Sequence, residues 1–276
     1  MSIFNKFSKG WQLAKTSLQV LHQNKQLVLL PIFSSSALLL ILISFTLTAV
    51  YGLNIFDSSS KSEVSSLLIY AGIFVYYLIN YFIVVFFNVA LMHCTSLYFN
   101  GQKPTVQDGI QFSLLKIGSI FKWAVFAATV GTILKAIQEE TGIIGKIITG
   151  AIGIVWSIAT FFVVPIIAYE NIGPIEAFKK SSIMMKQKWG ETAGATFSFG
   201  LIQLLGIVVI AIPLFFLGYA IHIALGIALG LLAAFIIIAI ISAAQTVFVS
   251  AVYYNIQGNP VQNFNEKMID QLFETK

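Results

Sequence analysis

Between Glu191 and Glu266 the chain carries 74 consecutive residues without an Asp, Glu, Lys or Arg. About a quarter of the residues in an ordinary soluble domain are charged, so a stretch this long cannot supply a water-soluble surface. It also far exceeds the roughly 20 apolar residues that one helical bilayer crossing needs. The run holds enough chain for two crossings and a tight return. This reading makes the protein polytopic and integral to a membrane.

Composition extends that argument to the rest of the chain. Of its 276 residues 58% are hydrophobic and 10% charged, with a mean hydropathy of +0.88. Such values exclude a water-soluble globule and a disordered chain alike. The 20 glycines suit helix–helix contact in lipid, where small residues let backbones approach. A single cysteine, Cys94, excludes an internal disulfide and a Cys-rich metal cluster. The net charge of +5 comes with lysines placed beside apolar segments, which points to a membrane surface with anionic headgroups and not to nucleic acid. All 16 basic residues are lysine, so no guanidinium is present to grip a phosphate in bidentate fashion. The first apolar stretch is longer than the ~7–15-residue core of a signal peptide and lacks a small-x-small cleavage site. It is expected to stay in the chain as an anchor.

Six segments read as transmembrane helices: 27–53, 67–93, 118–137, 147–169, 193–217 and 223–254. The first is interrupted by Pro31 and the Ser34-Ser35-Ser36 patch, and the fifth by Pro213, where a helical donor is missing. The third is the weakest, because only 12 residues separate Lys122 from Lys135, so both lysines must snorkel. Lysine placement supplies the orientation. Six crossings put 13 lysines on one side and three, Lys61, Lys135 and Lys146, on the other. Both termini are therefore expected in the cytoplasm.

Four stretches have the pattern of amphipathic helices on the cytoplasmic face. In the first, residues 1–26, Phe4, Phe7, Trp11, Ala14, Leu18 and Leu21 recur at steps of three and four. The second starts at Thr105 with Asp108 in a capping-box arrangement. The third starts at Pro174, a favoured first helical residue, and carries Lys179, Lys180, Lys186 and Lys188, which are candidates for anionic lipid or partner contact. The last is the tail at 260–275. Phe112 and Trp123 are 11 residues apart, as are Phe178 and Trp189, each tryptophan following a lysine. The chain thus reads as an all-α membrane protein, one polytopic domain over 1–276. Its six transmembrane helices form three hairpins, each preceded by a cytoplasmic amphipathic helix.

Chemistry-bearing motifs are scarce. His22, His93 and His222 include no i, i+4 pair, so no helical metal site is expected. Glu139-Glu140 is similar to the paired glutamates of intramembrane CAAX-type proteases, but the arginine and the later His-rich motif expected there are absent. No G-x-S-x-G elbow or Walker loop appears. Neither catalysis nor a cofactor is expected. The amides Asn80, Asn88, Gln203 and Gln245 are candidates for a polar path, or for hydrogen bonds between helices. Gly226, Gly230 and Ala234 form an extended G-x-x-x-G face for close helix packing, within the chain or with a second copy. Pro165, Glu170, Asn171, Gly173 and Pro174 form an elbow, or a gate, after the fourth span.

Two motifs carry a resemblance. Gly10-Trp11-x-Leu13-x-Lys15-x-Ser17 leads into Leu29-Leu30-Pro31, and Pro165 is followed by Glu170-x-x-Gly173-Pro174-x-Glu176-Ala177-x-Lys179-x-Ser181. Together they resemble a family of uncharacterised bacterial multi-pass membrane proteins, itself similar to the membrane domain attached to some glycerophosphodiester phosphodiesterases. The resemblance implies a bacterial inner-membrane location and a helical bundle; it implies no substrate. The repeat and the amide-bearing, glycine-rich spans lead to the expectation of a permease or channel-like protein for a small solute or lipid. The alternative expectation is a non-transporting scaffold or regulatory partner acting through the lysine-rich face, with a second copy or another membrane protein as its partner.

Overall fold

The computed structural model describes residues 3–52, 66–259 and 261, and these are almost wholly helical, with no strand among them. Among the described residues there are ten α-helices: α1 Ile3–Gln23, α2 Leu29–Leu47, α3 Ser66–Phe99, α4 Val106–Leu115, α5 Ile117–Glu140, α6 Gly142–Ala159, α7 Val163–Tyr169, α8 Pro174–Gly206, α9 Ile212–Tyr219 and α10 Ile223–Ile256. A 3₁₀ turn, Lys25–Val28, precedes α2, and a π-helical turn, Ile207–Ala211, joins α8 to α9. Among the described residues, five segments are long and apolar enough to cross a membrane: Lys25–Tyr51, Leu67–Phe99, Ile117–Glu140, Ser198–Tyr219 and Ile223–Ile256. α6 and α7 qualify only as a pair, bent by 41°.

Several boundaries differ from the sequence expectation. The fourth span, expected as one helix over 147–169, breaks at residues 160–162. The interfacial helix starting at Pro174 and the fifth span are not separate: α8 runs unbroken to Gly206, since no proline interrupts it after its first residue and each of its scattered glycines costs a helix only about 1 kcal/mol. Pro31 does not interrupt the first span. It sits in the opening turn of α2, where a missing N–H is tolerated. The tail at 260–275 lies outside the described residues apart from Val261, as do Lys61 and the side chain of Lys188.

The chain divides into two compact units. Of the described residues, the first comprises those up to Ile32, Ala90–Gln111 and those from Met184 onward. In it α1 packs against α10. Its buried face is Leu13, Ala14, Ser17, Val20 and Leu21, one stripe at helical spacing. That stripe is rotated from the expected one: Trp11 is exposed and Leu18 half-buried. Helix α10 is ~51 Å long at 1.5 Å per residue, and its burial is uneven. Ala243, Ala244, Val247, Phe248 and Ala251 in the second half are buried, while Leu225, Ile227, Leu231 and Leu232 in the first half are exposed. The buried half, whose small residues allow close approach, meets α1 and the last turns of α3. There Phe99 contacts Tyr254 edge-on at 6.1 Å and the Ser96 and Tyr254 hydroxyls are hydrogen-bonded. The exposed half is apolar surface that water would penalise and hydrocarbon accommodates.

α4 starts in this unit as the sequence pattern predicts. The Thr105 N–H and hydroxyl donate to Asp108 Oδ2 at 2.8 and 2.7 Å, and the Asp108 N–H returns a bond to Thr105 Oγ1 at 3.2 Å. These bonds to the ionised form hold the Asp108 carboxyl below the usual carboxylate range. Gly109 then lies so close to α3 that a Cβ there would sit 2.7 Å from the Ala90 carbonyl oxygen.

The second unit comprises Phe33–Val89 and Phe112–Ile183. α5 packs against α6, and the Ser113 hydroxyl donates to the Phe86 carbonyl of α3 at 2.8 Å. Phe45 of α2 meets Tyr76 of α3 edge-on at 5.2 Å. Its polar side chains converge at the corner between α7 and α8.

Candidate functional site

The corner begins with a proline effect. Pro165 is the third residue of α7 and has no N–H to return to the carbonyl four residues earlier. The helix therefore breaks one turn ahead of it, at residues 160–162, and not at the proline itself. The break leaves the Phe162 N–H without its in-helix carbonyl, and the Ser181 hydroxyl of α8 accepts it at 3.0 Å. Ser181 and Phe162 are both fully buried, as are Ile166, Ala168 and Ala177 around them. A buried unpaired N–H costs roughly 1–3 kcal/mol, so this one bond makes the bend tolerable.

A second layer of contacts holds the two arms of the corner. Glu170 closes α7 in an extended conformation, residues 171–173 carry the chain round, and Pro174 opens α8. The Lys180 ammonium donates to Glu170 Oε2 at 2.6 Å across the bend. Lys116, at the junction of α4 and α5, donates to Asn171 Oδ1 at 3.3 Å, and Phe112 meets Tyr169 at 5.8 Å. Beneath these lies an aromatic pile. Trp156 of α6 stacks on Phe178 of α8 at 5.3 Å and on Trp123 of α5 at 6.1 Å, and Phe126 touches all three. The elbow thus unites Pro165, Glu170, Asn171, Gly173 and Pro174 with three groups whose part pattern analysis did not identify: Ser181, Lys116 and the aromatic pile.

The four lysines grouped from sequence separate here. Lys180 is committed to Glu170, so it is not an unengaged cation for lipid or partner contact. Lys179 is exposed in the same unit, whereas Lys186 is exposed in the other. The four amides also separate. Asn80 and Asn88 belong to the second unit, Gln203 and Gln245 to the first. The Asn80 amide donates to its own helix at the Tyr76 carbonyl, 2.7 Å away, which is how a helix satisfies a polar side chain internally.

The first unit holds a different kind of irregularity. Pro213 stands in the first turn of α9, directly after the π turn, and α9 rests on α10 through glycines. A Cβ on Gly226 would come within 2.7 Å of Phe215 O and Tyr219 N. Gly230 meets the Phe215 side chain, and beside it Ala211, Phe215, Gly230 and Ala234 help to line a cavity of about 310 Å³ whose every lining residue is apolar. His222 caps α10, its Nδ1 accepting the Ala224 N–H at 3.2 Å. No group of three or more His, Cys, Asp or Glu side chains fit to hold a metal occurs among the described residues.

Compared with known proteins, residues 67–261 match the model of a family of unknown function, DUF6159. No curated protein and no solved structure matches the chain, and the comparisons show no link to glycerophosphodiester phosphodiesterases.

Proposed function

Since the chain belongs to that family of unknown function, whose membership brings no activity with it, we propose from the physics of the elbow that the protein is a non-transporting membrane scaffold or regulatory partner. In this reading it sits in the bacterial cytoplasmic membrane as three hairpins with both termini cytoplasmic, and it performs no catalysis. The observation that carries the proposal is the filled break between α6 and α7. Transporters that use broken helices leave the freed backbone facing a cavity, where it coordinates the cargo. Here the freed N–H is taken by Ser181, and Phe162, Val163 and Ile166 pack around it at 1% exposure or less. A joint closed in this way holds an angle between helices; it offers nothing to a solute. The clamped corner then presents its remaining lysine side chains in a fixed arrangement.

The test is reconstitution of the full chain in liposomes loaded with small solutes and ions and containing fluorescent lipid. The scaffold reading expects permeability and lipid exchange equal to those of empty liposomes. Protein-dependent flux overturns it in favour of a permease or channel. One observation favours that second reading in a limited form: the apolar cavity beside the π turn suits a lipid tail and not a polar solute, so a cargo held there is a lipid.

A further inference from the structure

Two corners of the second unit are tied together, and both turn apolar and cationic side chains outward. At the α4–α5 corner Leu114 is 52% exposed and Leu115 82%. Lys122 follows one turn into α5 and is exposed. At the start of α8 Ile175, Lys179 and Ile183 are all exposed, with Ile175 at 58% and Ile183 at 60%. These three are spaced four residues apart, so they form one stripe. The opposite stripe of the same helix, Ala177 and Ser181, is fully buried. Lys116–Asn171, Phe112–Tyr169 and Phe126–Phe178 join the two corners.

We propose that the joined corners form a binding surface for anionic phospholipid of the leaflet they face, with Lys122 and Lys179 at the phosphates and Leu114, Leu115, Ile175 and Ile183 in the acyl boundary. The argument is charge and polarity complementarity. Large aliphatic side chains interleaved with lysine have no stable place in water, and lysine has none in hydrocarbon; the headgroup boundary satisfies both at once. A protein partner burying this surface would have to desolvate two ammonium groups, and a lipid phosphate meets them where they are still hydrated. Lys180 takes no part, because its charge is already matched by Glu170. Glu176 is exposed on the neighbouring turn and opposes anion binding. The inference rests on the scaffold reading, whose face it supplies with a ligand class.

The experiment uses the full chain in vesicles of phosphatidylcholine and phosphatidylglycerol, gently extracted, with co-purifying lipid quantified by mass spectrometry. Wild type is expected to enrich phosphatidylglycerol. Enrichment should fall about fivefold for each lysine lost in Lys122→Gln and Lys179→Gln. It should persist in Lys122→Arg/Lys179→Arg and in Lys180→Gln, and rise in Glu176→Gln. Circular dichroism reports that each variant keeps its helices. Unchanged enrichment in a folded Lys122→Gln/Lys179→Gln double variant overturns the inference. Solute flux through the same vesicles would overturn the scaffold reading instead, whatever the lipid result.

Discussion

Two prolines disturb two spans of this protein, and the chain absorbs them in opposite ways. Around Pro165 the helix breaks and bends by 41°, and side chains repair the damage: a serine takes the stranded N–H and an aromatic pile lies beneath, while an ion pair clasps the α7–α8 turn that follows. Around Pro213 no side chain with a charge lies within reach in sequence. There the backbone adjusts, widening into a π turn, and glycines let the neighbouring helix close up. The charge-free run that marks this chain as a membrane protein therefore also sets how it tolerates irregularity. Where polar side chains exist, a break becomes a clasped joint. Where they do not, the hydrogen-bond ladder shifts register and keeps its bonds internal, as hydrocarbon demands.

The sharpest way to break this comparison is at Gly226. With α9 backbone atoms 2.7 Å from where a Cβ would stand, Gly226→Leu forces α9 and α10 apart. It should cost about 3 kcal/mol, read as a lowered unfolding midpoint of the purified protein. An effect under 0.5 kcal/mol would mean that α9 is free to move off. At the clasped joint the decisive change is Ser181→Ala. Removing the acceptor leaves the Phe162 N–H buried without a bond, a loss of about 1–3 kcal/mol by the same measurement, with little change in helix content.

The smallest effect concerns the start of α4. Thr105 holds the Asp108 carboxyl below its ordinary range, so its contribution is fully present above the unfolded value of about 3.9 and is lost as pH falls through the lower folded value. The difference in stability between wild type and Asp108→Asn should be constant from pH 7 to 5 and shrink below about pH 4. A difference that shrinks between pH 7 and 5 would contradict the assigned hydrogen bonds.

Much of this architecture was legible in the sequence, for identifiable reasons. Long apolar segments, the Thr105–Asp108 spacing and Pro174 at a helix start are local signals, and each corresponds to a helix or boundary described above. What escaped reading is tertiary. Periodicity gave α1 an apolar stripe, yet it could not tell which of two overlapping stripes would be packed, because that depends on the small residues of α10. Pro165 announced a disturbance, but proline acts on the turn before it, so the break lies at residues 160–162. Ser181 looked like one small residue among several until the fold placed it opposite the orphaned N–H of Phe162. Lys179 and Lys180 are neighbours in sequence and indistinguishable there; only the bend, by bringing Glu170 to one of them, gives them separate roles. His222 as the cap of α10 left no pattern beyond its place before an apolar run.

The central claim, that the α6–α7 break is closed, is tested most directly by single cysteines at Ala159 and Ala168, small buried residues on either side of it. They would be introduced with the buried Cys94 replaced by alanine and probed in native membranes with a water-soluble maleimide. A closed joint predicts that neither cysteine is labelled until the protein is denatured, while a cysteine at exposed Lys179 reacts at once. Rapid labelling at both Ala159→Cys and Ala168→Cys in the native protein would show a water-filled path through the break and contradict the account.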